Sequence, residues 1–306
     1  MVASRIRRST VIAAAGLAMV AAGCGVSVGS GSGGSGMQVQ AGSFAGSAGG
    51  SVLARSAAST AKVKSMRLTL TETVEGMGPR SVSFSATGEF DNVAHRGHMS
   101  LDMNALGSRA GSIEEVVDGT TVYMRSTLLG SLGGSGKPWA KIDVGSLVGS
   151  KVLSSGAYSS GANPGAFLGF LKDAGAKITT IGSEKVRGVD TTHVHSVVDL
   201  EQLLHAAPPQ EAKVLQQELG SLGAGGVGLT KLPIDAWVGH DGYVRRVSLT
   251  FDFAGLAGAA PQLSGAKISV TMEMYDFGQP VHITVPDPSL VGPLPASACG
   301  CVKPHN

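Results

Sequence analysis

Familiar catalytic signatures are the first thing this chain lacks. No G-x-S-x-G elbow joins a strand to a helix, and neither an H-E-x-x-H pair nor a P-loop is present. Acyl transfer, zinc proteolysis and phosphoryl transfer are thus without their usual residue spacing, and the chain reads as a non-enzyme with no expected cofactor. The apolar run of residues 11–20 is about half the roughly 20 residues a transmembrane helix needs. No acidic residue precedes Cys24, residues 25–50 carry no charge of either sign, and cysteine occurs three times. Removing residues 1–23 takes away three arginines and no acid, which moves the formal net charge from +2 to −1. That balance leaves no basic footprint for nucleic acid.

What the N-terminus does contain is ordered by function. Arg5, Arg7 and Arg8 precede the apolar run, and Ala21, Ala22 and Gly23 follow it. A basic region, a short apolar core and small residues make residues 1–23 a secretory signal peptide. Cys24 comes directly after Ala-Ala-Gly, which resembles the bacterial lipobox, although Leu is the more typical residue at position 21. In that box the cysteine is lipidated on sulfur and becomes the new N-terminus. Each buried CH₂ of an acyl chain contributes about 0.8 kcal/mol, and two chains anchor stably. Cys24 is the expected lipidation site, on the extracytoplasmic face of the cell membrane. Residues 24–50 would then be the lipidated cysteine and a flexible tether. Their Gly, Ser, Ala and Val bury too little surface to offset ordering entropy. The reach of such a tether is about 25–30 Å.

Beyond the tether the period changes. Residues 51–63 carry Val52, Leu53, Ala57 and Ala61 on one helical stripe. Strict alternation follows in 66–74, where Met66, Leu68 and Leu70 oppose Arg67, Thr69 and Thr71. It recurs in 81–90 with Val82, Phe84 and Ala86, and in 98–103 with Met99, Leu101 and Met103. Further strands read at 113–118, 120–126 and 138–144, the first two joined at Asp118-Gly119. A helix is predicted over 163–175, from Asn163-Pro164 to Gly175, with Phe167, Phe170 and Leu171 on one face. Strands return at 177–184 and 189–198, and a helical stretch at 199–222 is broken by Pro208-Pro209. The last third reads as a hairpin turning at His240-Asp241-Gly242, then a strand carrying Ile268, Val270, Met272 and Met274 on one side.

The expected fold class is α+β, in one domain over 51–295. About eleven one-sided strands form a curled antiparallel sheet, an incomplete barrel with two or three helices in its concave face. Such a sheet makes either an apolar cavity or a closed dry core, and periodicity alone does not separate them.

Polar clusters are few. His193 and His195 share a strand face with Thr191, but spacing supplies no third metal ligand, so no metal is expected. Asp102, Asp235, Asp241 and Asp252 sit at strand ends or on polar faces, as solvated carboxylates do. Cys299 and Cys301 close the chain in a tail, 296–306, that reads as disordered. They fit either an incidental pair or a disulfide in an oxidising compartment; zinc would need more ligands than Cys-x-Cys and His305 provide.

Five phrases stand in one order: "DGTTVYMRS", "KPWAKIDV", "KVRGVDTTHVHSVVDL", "LPIDAWVGHDGYVRRVSL" and "MEMYDFGQPVHITVPDP". With the lipobox ahead, they resemble actinobacterial envelope lipoproteins of the LppX/LprG type, which share the LolA/LolB-like carrier fold. Trp237 with Asp241-Gly242 and Arg246, and the run from Tyr275 through Gly278 to Pro286, are the most specific parts. The resemblance implies a lipid or lipoglycan held in an apolar cavity and moved within the envelope. It leaves open a sensor or protein-interaction role for the same fold, with an envelope transporter or another protein as partner. For a carrier, the expected cavity wall is Met66, Leu68, Leu70, Phe84 and Leu101 from the first strands. Phe167 and Phe170 would join from the plugging helix, and Leu249, Phe251, Val270 and Met272 from the last strands. Flexible methionines suit long, variable acyl chains.

Overall fold

The computed structural model describes residues 56, 59, 62–76, 81–103, 111–126, 136–143, 178–199, 201, 204, 205, 231–253 and 265–293. Six strands come first: β1 (Ser65–Glu75), β2 (Val82–Asp91), β3 (Arg96–Asp102), β4 (Ser112–Asp118), β5 (Thr121–Ser126) and β6 (Trp139–Asp143). The second set is β7 (Ile178–Val186), β8 (Val189–Asp199), β9 (Lys231–Gly239), β10 (Val244–Asp252), β11 (Lys267–Tyr275) and the short β12 (Val291–Pro293). All twelve belong to one curled sheet, ordered β12-β6-β5-β4-β3-β2-β1-β11-β10-β9-β8-β7 and left unclosed at β7 and β12.

Two antiparallel meanders explain this order. Strands β1 to β6 pair with their chain neighbours, as do β7 to β11. The meanders are stitched at the middle by β1 against β11, from Arg67 opposite Tyr275 to Glu75 opposite Lys267. That junction joins residues about two hundred positions apart and carries the loop-closure cost of the fold. Hairpins are local by contrast. Arg187 and Gly188 both take positive φ, 49° and 81°, which suits the twist of a two-residue turn between β7 and β8.

About eleven strands were expected and twelve are present among the described residues. The extra one, β12, is three residues ending in Pro293 and pairs with β6 in parallel. A segment that short has no alternation to read, and its partner lies at the far edge of the other meander. Residues 276–290 link the centre of the sheet to that edge. Gly278 donates its N–H to the Ser65 carbonyl at 2.8 Å, and Ser65 Oγ donates to the Gln279 carbonyl at 2.6 Å. Near the far end, Lys137 Nζ donates to the Ser289 carbonyl at 2.7 Å. Asp287 Oδ1 accepts the Ser289 N–H at 2.8 Å, capping the single 3₁₀ turn Pro288–Leu290.

The expected helices fall almost wholly outside the described residues. Ser56 and Ser59 have helical backbone, as do Glu201, Leu204 and His205; 163–175 lies outside, as do Cys24 and its tether, Cys299 and Cys301.

Side chains alternate across the sheet as a pleat requires. The even-numbered residues of β1, Met66, Leu68, Leu70 and Val74, join Phe84, Ala86 and Phe90 of β2 and Met99 and Leu101 of β3 in one buried cluster. Ile234, Ala236 and Val238 of β9 and Ile268, Val270 and Met274 of β11 extend it past the stitch. One face is therefore apolar across both meanders. Phe90 lies over a gap in that face: a Cβ on Gly97 would come within 2.7 Å of its ring.

Candidate ligand-binding face

Register aligns the apolar face into lateral rows. One row runs Val194, Ala236, Val247, Met272, Leu70, Ala86, Leu101 and Ile113, from β8 across the stitch to β4. The next runs Ser196, Ile234, Leu249, Val270, Glu72 and Phe84. Of the expected wall residues, Met66, Leu68, Leu70, Phe84, Leu101 and Val270 are buried on this face. Leu249, Phe251 and Met272 are partly buried and pack against the same cluster. Phe167 and Phe170 lie outside the described residues.

Glu72 is the residue that reading by motif missed. It continues the even-numbered series of β1, so its carboxyl points into the apolar face between Phe84 and Val270. Only 7% of it is exposed. Burial pushes its pKa above the ordinary 4.5, because an ionised carboxylate loses its hydration there. Alternation was itself the available signal: an acid at an inward position is the anomaly. On the same row Ser196 is buried, and its Oγ has no hydrogen-bond partner among the described residues. Glu115 also lies on this face, opposite Met99 and Met124.

The opposite face is a polar lattice. Asp235 Oδ1 accepts from both histidines of β8, His193 Nε2 at 2.8 Å and His195 Nδ1 at 2.9 Å. His193 Nδ1 lies 3.0 Å from Glu184 Oε1. Asp235 is therefore an organised partner and not the solvated carboxylate that its position implied; only the β8–β9 pairing brings it to His195. Asp241 likewise is held by Arg245. Among the described residues no group of three or more His, Cys, Asp or Glu side chains could hold a metal ion.

Glu273 of β11 is bracketed from two sides. Arg246 of β10 bonds its Oε1, and Arg187 at the tip of the β7–β8 hairpin bonds its Oε2 at 2.9 Å. Arg187 also donates to Thr69 Oγ1 at 3.1 Å and stacks 3.9 Å from the centre of the Tyr275 ring. The hairpin tip thus reaches over the polar face as far as β1. Burial raises the Glu273 carboxyl, but hydrogen bonds from Arg246 and Arg187 and their charges outweigh it and hold the pKa below 4.5. A shallow depression of about 530 Å³ elsewhere on this face is lined by Ser85, Thr87, Ser100, Asp102, Gly111 and Ser112.

No family model matches the chain, and no curated protein matches it. Solved structures do. LprF from Mycobacterium bovis is similar at 17% identity over 77% of this chain and 95% of its own, with a TM-score of 0.44. The Mycobacterium tuberculosis lipoprotein LppX is similar at 14% identity over 76% of this chain and 98% of its own, also at 0.44. A LolA-superfamily protein from Nitrosomonas europaea matches at 9% identity over 76% of this chain and 94% of its own, at 0.27.

Proposed function

We propose that this chain is a membrane-anchored lipoprotein that binds a lipid or lipoglycan on the apolar side of its sheet and carries it within the cell envelope. The observation that carries the reading is the apolar face running from β4 to β8 on a sheet whose two edges stay open. A curled, unclosed sheet can part to admit an acyl chain, which a sealed barrel cannot. The Ala-Ala-Gly-Cys sequence before an uncharged stretch supplies the means of anchoring, through Cys24 on the extracytoplasmic side. The eleven residues named as cavity wall are the proposed ligand contacts, including Phe167 and Phe170 from the helix expected at 163–175. No catalytic role enters this reading.

The test is extraction and mass spectrometry of protein lacking residues 1–24, purified from an actinobacterial host. Stoichiometric co-purified lipid is the expected result; persistently empty protein overturns it.

One observation favours a second reading, a sensor or protein-interaction module. Edge strand β7 is exposed along most of its length, and Ile181 on it is 57% exposed. Such an edge can accept a strand from a partner. On this reading the native protein is lipid-free throughout its life and its interior is filled.

A further inference from the structure

We infer that Glu72 is the specificity residue of the apolar face, hydrogen-bonding through its carboxyl to a hydroxyl group on an uncharged acyl lipid. The inference rests on the lipid-binding reading above and names the chemistry within it.

Three observations combine. Glu72 sits midway across the face, on the strand that stitches the two meanders, with Phe84 on one side and Val270 on the other. The residue is more than nine-tenths buried, and burial alone acts on its carboxyl, with no side-chain hydrogen bond or charge beside it. Its oxygens are not among the fully enclosed polar atoms, so a ligand lying on this face can reach them, and a polar group set in apolar surroundings gains by such a partner. The surrounding face then says what that partner is. Among the described residues, the inward positions in the Glu72 row and in the rows on either side of it include no Lys, Arg or His. An anionic headgroup, a phosphate or an ionised fatty acid, would meet no countercharge from these residues and would lie against a carboxyl. A carboxyl offers acceptor lone pairs and, when protonated, one O–H donor, the complement of an alcohol. Ser196, buried and unpartnered on the same row, offers a second uncharged donor and acceptor further along the same chain path.

The probe pair is methyl stearate and its derivative bearing one mid-chain hydroxyl, titrated into the mature chain with Cys24→Ser to keep it soluble. Wild-type protein is expected to bind the hydroxylated ester about tenfold more tightly, the value of one buried hydrogen bond. Glu72→Leu should bind both esters alike. Glu72→Gln, which retains a donor and an acceptor, should keep part of the preference. Equal binding of the two esters by wild type overturns the inference and leaves lipid binding standing, and no folded variant is needed to see it. A preference that survives in Glu72→Leu overturns it too, as does tighter binding of oleylamine, which would make the partner a cation. Binding of neither ester removes the lipid-binding reading and this inference with it.

Discussion

Trp237 and His193 lie face to face, ring centroids 4.3 Å apart and planes 14° apart. They are direct partners across β8 and β9, and Arg246 approaches the Trp237 ring from β10, 5.1 Å from its centroid. Trp237 is only 8% exposed although it belongs to the polar face, and its indole N–H has no partner among the described residues. Its contribution is therefore stacking and burial. Trp237→Ala is expected to cost about 3–5 kcal/mol, read as a lower urea midpoint at unchanged slope. A loss under about 1 kcal/mol would mean that this edge of the sheet opens independently of the rest.

Gly97 exists to make room for Phe90. A Cβ at residue 97 would lie 2.7 and 2.9 Å from two carbons of that ring, so the ring must tilt into its neighbours. Gly97→Ala should destabilise by about 1–3 kcal/mol, and adding Phe90→Leu should return part of the loss. Strictly additive effects in this double-mutant cycle would show that the two residues are not in contact.

The buried carboxyl of Glu72 makes stability depend on pH. Its pKa is raised in the folded state, so above the ordinary carboxylate range the native protein holds a proton that the unfolded chain has released. Stability then falls as pH rises toward the raised value, beyond which the slope vanishes. Glu72→Leu removes the slope and the buried carboxyl together. Ligand-free variant should be more stable at neutral pH by about 1–3 kcal/mol. Its advantage should widen as pH rises above the ordinary carboxylate pKa of 4.5, until the raised value is passed. Urea unfolding at several pH values measures this; a constant difference between the two proteins would contradict the raised pKa.

Val270 separates a cavity from a dry core. Register places it on the apolar face between Glu72 and Leu249. In a packed interior Val270→Trp is overpacking and costs about 1–3 kcal/mol. Where an acyl chain normally lies, the indole takes its space instead, and lipid is depleted with little change in melting temperature. Melting temperature and bound lipid measured on the same preparation distinguish the cases. Lost stability with lipid never present in wild type would sink the carrier reading.

Anchoring rests on one sulfur. Cys24→Ala should abolish acylation and yield either uncleaved precursor in the membrane or released protein. Mass spectrometry of the N-terminal peptide reads the outcome directly. Processing and retention like wild type would remove the lipobox assignment.

Much of the architecture was legible because alternation is a local property. A period of two needs no partner, so the apolar sides of β1, β2, β3 and β11 could be read from Met66, Phe84, Leu101 and Val270 before any pairing was known. Hairpins such as Asp118-Gly119 and Asp241-Gly242 follow from turn residues alone. The candidate wall was legible to the same extent, and Phe167 and Phe170 rest on helical periodicity only. Glu72 was legible in principle, since it falls on the even-numbered side of its strand; what hid it was the habit of reading an acid as solvated.

Pairing between distant segments is another matter. Nothing local says that β1 meets β11 and not another strand, that the three residues of β12 run parallel to β6, or that the β7–β8 hairpin lays Arg187 on Glu273. These depend on how a twelve-stranded sheet twists and where its ends meet, which is a sum over all strands at once. The same holds for Asp235, bound by two histidines that lie about forty residues earlier. Which side of each strand is apolar is written in the order of residues. Which strands become neighbours, and so which polar groups are satisfied and which, like Ser196, are left buried without a partner among the described residues, is set by long-range packing.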